Sequence, residues 1–219
     1  MALWLKYVLI AIAGYLLGNI SLGIIIARFY GIKDIRKVGS GNAGTTNVLR
    51  NLGWLPSILT LVGDCLKALI AALIGKWVAG EIGLLIGGTA AIVGHDYPVF
   101  FKFKGGKGIA STLGLIIAVN PLLALCMLFP VIAIIALTRY VSVGSIYACF
   151  SYPVLTWLFT RKSEFAKHYL IFAIFAGALA LFGHRANIKR LIRREENRLD
   201  FKKISQLSQK FSKKNKEKE

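Results

Sequence analysis

Long apolar runs alternate along this chain with short segments rich in glycine, serine, asparagine and basic residues. A helical apolar run of about 17–25 residues matches a bilayer hydrocarbon core about 30 Å thick. Runs of this kind cover Leu3–Phe29, 54–78 with a helix-start signal at Pro56, 82–101, about 146–159, and 168–182. Residues 109–137 read either as one overlong helix or as two short ones broken at Asn120-Pro121. The period-two alternation of a membrane β-barrel is missing. The pattern predicts an all-α, polytopic membrane protein.

Composition supports that class. The chain has 219 residues, of which 56% are hydrophobic, and a formal net charge of +18. Such a charge could point to nucleic acid, but its placement points to membrane lipid. Thirteen basic residues lie between Arg185 and Lys218, directly after the last apolar run. Clusters of this kind hold to anionic headgroups and mark the cytoplasmic side. The chain divides into an integral membrane domain over residues 1–200 and a basic cytoplasmic tail over 201–219. The tail reads as partly helical to about Leu207 and otherwise as disordered. Cys65, Cys126 and Cys149 all fall inside apolar runs, odd in number, and indicate neither a disulfide framework nor a metal site. The first run is too long for a cleaved signal peptide.

Charge also sets the span count. With a break at Asn120-Pro121 and the amino terminus outside, seven spans put Arg28, Lys33, Arg36, Lys37, Arg50, Lys102, Lys104, Lys107, Arg139 and the tail on one side. Lys6, Lys76, Arg161, Lys162 and Lys167 are left for the other. Six spans would split the positive charge, so the positive-inside bias favours seven. Asn-Pro is also a good turn, because proline disfavours the helical conformation in the residue before it.

On that topology every unusual polar segment faces the cytoplasm. The first is Gly39–Arg50, in which Gly41 and Gly44 permit close backbone approach and Ser40, Asn42, Thr45, Thr46 and Asn47 supply hydrogen bonds. Arg50 can fork two N–H donors onto a phosphate. The second holds Gly94-His95-Asp96-Tyr97-Pro98 and then Lys104-Gly105-Gly106-Lys107-Gly108, with Ser111 and Thr112 in the next helix. It is not a nucleotide P-loop, since Gly108 stands where Ser or Thr is required. Its lysines suit a phosphate or, more plainly, a lipid headgroup. His95 reads as a structural hydrogen-bonding residue before a base. Ser142 and Ser145 lie in the third loop, where Ser145 can cap the next helix and also meet a ligand oxygen. The fourth segment puts His184 and Asn187 on one helix face, with Arg190 beside them. Asp64 and Lys67 sit three apart inside a span, as a packing pair or as part of a site.

These motifs, in this order, resemble the bacterial membrane acyl-phosphate:glycerol-3-phosphate acyltransferase family. The resemblance rests on Ser40-Gly-Asn-x-Gly-x-x-Asn-x-x-Arg50, on Gly94-His-x-x-Pro with Phe-Lys-Gly-Gly-Lys-Gly108, on Ser142 and Ser145, and on His184-Arg-x-Asn-Ile-x-Arg-Leu191. It implies a seven-helix enzyme of the bacterial inner membrane that needs no cofactor or metal. Its reaction moves a fatty acyl group from acyl-phosphate to glycerol 3-phosphate, giving lysophosphatidic acid for phospholipid biosynthesis. A soluble phosphate acyltransferase that forms acyl-phosphate is the implied partner. Carried onto this chain, the catalytic group is Ser40, Arg50, Ser145, His184 and Asn187. Substrate binding adds Gly41, Asn42, Gly44, Asn47, Lys104, Gly105, Gly106, Lys107, Gly108, Ser142 and Arg190. Two departures stand out: Ala43 replaces a common proline, and Arg193-Arg194-Glu195-Glu196 replaces a small Gly-Thr-Glu turn, with Glu196 aligned.

A mixed anhydride is already activated, so direct attack by the glycerol hydroxyl is expected, with a substrate phosphate or His184 taking the proton. A transporter of phosphorylated metabolites and a lipid-binding tether are the rival classes. The first lacks the internal repeats usual for transporters, and the second leaves the loop motifs unexplained.

Overall fold

The structure, a computed structural model, describes residues 2–216, with side chains to residue 211. Ten α-helices form among these residues. Helix α1 is Leu3–Gly18, α2 Leu22–Phe29, α3 Thr45–Leu52 and α4 Trp54–Asp96. They are followed by α5 Ile109–Val119, α6 Pro121–Thr138, α7 Val141–Thr160, α8 Ala166–Gly183, α9 Arg185–Ile192 and α10 Phe201–Lys216.

Helix α4 is a folded-back pair rather than one rod. Ala79 and Gly80 leave helical geometry, Gly80 with φ of 66°, a conformation that favours glycine. The two arms then run antiparallel with their backbones nearly touching. A Cβ on Gly75 would meet the Gly83 carbonyl oxygen at 2.0 Å, and one on Gly87 would meet that of Ala71 at 2.3 Å. Helix α1 lies against the second arm in the same way, through Gly14 and Gly18. Small residues permit such contact in membranes, where dispersion rather than water exclusion holds helices together.

Five described segments are long and apolar enough to cross a bilayer: Leu3–Phe29, Trp54–Phe101 with its fold-back, Pro121–Thr138, Val141–Thr160 and Ala166–Gly183. Helix α5 is apolar but short, about 16 Å at 1.5 Å per residue. The break between α5 and α6 forms where the sequence places it. The Asn120 Oδ1 accepts the Leu122 and Leu123 N–H groups at 2.9 and 3.1 Å, and Pro121 opens α6. The apolar core gathers Leu84, Leu85, Ile92, Leu115, Ile116 and Leu123 between α4, α5 and α6, and extends to Tyr152 and Tyr169 of α7 and α8.

Two expectations change. Helix α7 starts at Val141, so Ser142 and Ser145 point from its first turns, and Tyr140 rather than Ser145 is the cap. The segment from residue 201, expected to be helical only in part and to about Leu207, forms α10 over Phe201–Lys216. It docks through Ile204, 1% exposed, which packs with Leu49 and Leu199. The Phe201 ring stacks on Trp54 with centroids 6.2 Å apart. The Ser208 hydroxyl accepts the Trp54 N–H at 3.0 Å and so caps α4 from the far end of the chain.

Candidate active site

The Gly39–Gly44 loop is folded chiefly around the Asn47 side chain. Asn47 is 1% exposed. Its Oδ1 accepts the Ser40 N–H at 2.9 Å, and its Nδ2 lies 2.8–3.0 Å from the carbonyl oxygens of Ile35, Val38 and Asn42. Asn42 in turn accepts the Gly44 N–H at 2.8 Å and donates to the Gly105 carbonyl at 3.3 Å, tying the first loop to the second. Arg36 braces the same joint, donating to the Phe101 and Lys104 carbonyls at 2.7 and 3.0 Å. Its own partner is Asp34, whose carboxyl it holds below the usual carboxylate range.

The second loop is laid over His95. Gly106 N–H donates to the His95 carbonyl at 3.0 Å, and Gly105 N–H to that of Asp96 at 3.1 Å. A Cβ on Gly106 would strike the His95 ring at 1.9 Å, so only glycine lets the loop lie this close. Beneath, Lys67 Nζ sits 2.9 Å from His95 Nδ1 and 2.8 Å from Asp64 Oδ1. It also donates to the Gly18 and Ile20 carbonyls at 2.9 and 2.8 Å, which have lost their helical partners where α1 ends. Lys67 is thus a structural pin between α1 and the α4 arms, and His95 is the floor of the glycine loop.

These pieces surround a cavity of about 610 Å³. Ser40, Asn42, Gly44, Asn47, Arg50, Lys107, Gly108, Ser142, Ser145, His184 and Asn187 all line it. Gly41, Lys104, Gly105, Gly106 and Arg190 do not. Lys104 is exposed, and its backbone carbonyl rather than its ammonium makes the contact described above. Lys102 and Phe103 just before it both adopt left-handed backbone, with φ of 58° and 57°.

At the polar end, Lys107 Nζ donates to Asn187 Oδ1. Asn187 Nδ2 donates to Glu196 Oε1 at 2.9 Å, and Arg190 Nε to Glu196 Oε2 at 2.7 Å. Arg50 reaches across to the Asn197 carbonyl at 2.8 Å. Burial lowers the pKa of Arg50, and it brings the Lys107 ammonium down to about 8, with the nearby Arg190 cation adding to the shift. The His184 Nδ1 lies 2.8 Å from the Ala180 carbonyl, which can only accept, so Nδ1 carries the proton and Nε2 keeps its lone pair. Burial above all, and the Lys107 charge, push His184 down to about 4. The imidazole is neutral at neutral pH. Among the described residues, buried Arg50 Nε, Thr45 Oγ1 and Ser142 Oγ have no partner, although all three residues line the cavity. Two cations and several free donors face one side of this space, and the two carboxylates in its walls, Glu196 and Asp64, are already paired with Arg190 and Lys67. That is an anion site in its electrostatics.

The other walls are apolar. Ile58, Leu61, Leu113, Met127, Leu128, Val131 and Ile132 descend along α4, α5 and α6, and Ile58, Leu61 and Ile132 are exposed on the lipid-facing side. Among the described residues, no three His, Cys, Asp or Glu side chains converge in a way that could hold a metal ion. Glu196 and the apolar walls are what reading the residues singly did not find. The signal for Glu196 was its alignment with the family turn; beside Glu195 in a basic segment it is not distinguished until the structure buries it and leaves Glu195 exposed. Arg194 takes the left-handed conformation, φ 60°, at the place of the small residue in the related turn.

The site has known counterparts. The family described as glycerol-3-phosphate acyltransferase matches residues 8–194. A glycerol-3-phosphate acyltransferase of Thermoanaerobacter pseudethanolicus is 44% identical over 192 residues, covering 88% of this chain and 95% of that protein. One from Clostridioides difficile is 41% identical over 204 residues, covering 90% and 98%. The crystal structure of PlsY, an integral membrane glycerol 3-phosphate acyltransferase, in its glycerol 3-phosphate form superposes with a TM-score of 0.80 at 41% identity, covering 89% of this chain and 96% of that one. Its lysophosphatidic acid form gives the same TM-score at 40% identity, covering 90% and 97%. With its apolar helices and its cationic cavity, the chain is an integral membrane acyltransferase that belongs to the glycerol-3-phosphate acyltransferase family.

Proposed function

We propose that this protein transfers a fatty acyl group from acyl-phosphate to glycerol 3-phosphate, releasing lysophosphatidic acid and inorganic phosphate. One observation carries the reading. A single cavity joins a cationic, donor-rich end at Arg50 and Lys107 to an apolar flank that reaches the lipid-facing surface at Ile58 and Ile132. A phosphorylated alcohol and an acyl chain need those two environments side by side. Two PlsY structures, one in a glycerol 3-phosphate form and one in a lysophosphatidic acid form, support the acceptor and the product.

Acyl-phosphate as donor fits the chemistry of the walls. The glycerol hydroxyl oxygen bonds to the acyl carbonyl carbon, and the bond from that carbon to the phosphate oxygen breaks. Phosphate is a good leaving group, so positioning and charge neutralisation do most of the work. The hydroxyl proton passes to a substrate phosphate oxygen. His184, with its low pKa, is a poor general base, and its neutral imidazole serves better as a hydrogen-bonding partner. Arg50 and Lys107 neutralise phosphate, Ser142, Ser145 and Ser40 supply hydroxyls, and Asn187 holds Lys107 in place.

The same reading sets the topology. The α4 arms count as two crossings and α5 as a short third, which makes seven. The amino terminus is then outside and the site and tail cytoplasmic, in the bacterial inner membrane. The concentration of Lys and Arg beside the cavity supports this orientation. A soluble acyl-phosphate-forming enzyme supplies the donor. The test is incubation of purified protein with palmitoyl phosphate and glycerol 3-phosphate, with palmitoyl-CoA as the control donor. Lysophosphatidic acid should form with the first donor only. Equal turnover with palmitoyl-CoA would refute the donor assignment.

A further inference from the structure

The apolar flank of the cavity continues below its polar groups. Its wall on α6 runs from Ala136 down to Met127, about 13 Å of helix at 1.5 Å per residue. Over that descent the lining changes from Lys107 and Ser142 to Leu113, Met127 and Ala148. Behind this deep end lies a second, much smaller void of about 20 Å³, enclosed further by Cys149, Tyr152 and the small residues Ala176, Gly177 and Ala180. Ile109, Met127 and Ala148 belong to the walls of both spaces. Met127 and Ala148 are 6% and 5% exposed, so the partition lies inside the protein.

We infer that Met127 is the acyl-chain stop, the residue that sets how long a chain the deep end accepts. The inference rests on the acyl-transfer reading above. Of the three shared residues, Ile109 is stiff at its β-branch, and Ala148 has no reach. Met127 alone is long and unbranched, with a thioether that fills irregular gaps. It stands in the walls of both spaces. Truncation there joins them, and bulk added at Ala148 closes the passage further. The competing path runs sideways over Ile58, Leu61 and Ile132 into the bilayer, and a chain lying there is indifferent to Met127.

The full-length protein would be assayed with glycerol 3-phosphate and saturated acyl phosphates that differ in steps of two carbons. Met127→Ala should move the optimum of kcat/KM to longer chains, with a gain of roughly fourfold per extra buried methylene. Ala148→Leu should move it to shorter chains, and neither variant should change KM for glycerol 3-phosphate. Thermal stabilisation by lysophosphatidic acids of graded length reads the same shift without turnover. An inactive wild-type enzyme would therefore remove the acyl-transfer reading without deciding the stop. If Met127→Ala does not fold, Ala148→Leu alone decides. The wild-type length profile in both measurements would overturn the inference and place the chain in the lateral gap.

Discussion

Asn187 Nδ2 donates to Glu196 Oε1 at 2.9 Å, and this fixes which way the Asn187 amide faces. Its Oδ1 is left toward Lys107, so a carboxylate beyond α9 aims the cation of a loop some ninety positions earlier. Glu196 is 6% exposed and also holds Arg190. Removing one member of a buried, charged network leaves the others unpaired, at a cost of about 1–3 kcal/mol each. Glu196→Ala should therefore lower both thermal stability and turnover, the latter at least tenfold. Glu196→Gln should keep most of the stability and lose activity, because the neutral amide no longer opposes the charges of Arg190 and Lys107. Melting temperature and kcat/KM measured on the same preparations separate the two effects.

Lys107 and Arg50 should each be needed for acceptor binding. Lys107→Ala and Arg50→Ala are expected to reduce kcat/KM for glycerol 3-phosphate by 10- to 1000-fold, since a charge-assisted hydrogen bond is worth about 1.5–3 kcal/mol and these sit in a partly desolvated site. Lys104→Ala should cost little, because its ammonium is exposed and away from the cavity. Comparable losses in Lys104→Ala and Lys107→Ala would undo the assignment of Lys107 as the phosphate-facing lysine.

The pH dependence follows from the same lysine. Lys107 in the free protein titrates at about 8, so it is charged below that value and loses its proton as pH rises through it. The apparent affinity for glycerol 3-phosphate should fall above about pH 8 and be steady from there down to about pH 7, below which the substrate phosphate itself begins to protonate. Lys107→Arg keeps its charge across this range and should flatten the profile. His184 titrates near 4 and stays neutral above about pH 5, so His184→Ala should lower affinity while leaving the pH–rate profile between 5.5 and 7.5 unchanged. An acid limb, the fall in rate as the imidazole takes up its proton, that disappears in His184→Ala would instead make the imidazole the proton acceptor.

Much of this arrangement is legible in the sequence because it depends on local chemistry. Asn120-Pro121 announces a helix break, and small polar residues between apolar runs announce loops that approach a ligand. What stays hidden depends on tertiary contact. The spacing of Lys104 and Lys107 does not say which faces inward; the left-handed turn at Lys102 and Phe103 intervenes. Asn47 looks like a ligand residue, but both ends of its amide are taken by the loop it folds. Helix α10 has few apolar residues, and its order comes from Trp54, Leu49 and Tyr30, which are far away in sequence.

That docking predicts that α10 acts through stability and that catalysis survives its loss, although its first residue, Phe201, stands in the cavity wall. Deleting residues 201–219 uncovers Trp54 and leaves the first N–H of α4 without its acceptor. It also removes the buried Ile204, and burying an aliphatic side chain of this size is worth about 1.5–3 kcal/mol. The shortened protein should melt several degrees lower and keep kcat within a few-fold, because Lys107, Asn187 and Glu196 all lie before the cut.

The last turn of the polar network tests how much backbone strain the family position tolerates. Arg194 is exposed, holds φ at 60°, and precedes Glu196 by two residues. A non-glycine residue in this region costs about 1 kcal/mol, and a β-branched one costs more. Arg194→Gly should leave activity intact and raise stability slightly, since the relief of strain outweighs the added freedom of the unfolded chain. Arg194→Val should distort the turn, displace Glu196, and lower turnover in parallel with Glu196→Ala. Equal activity and melting temperature in the glycine and valine variants would mean that this turn does not set the position of the carboxylate.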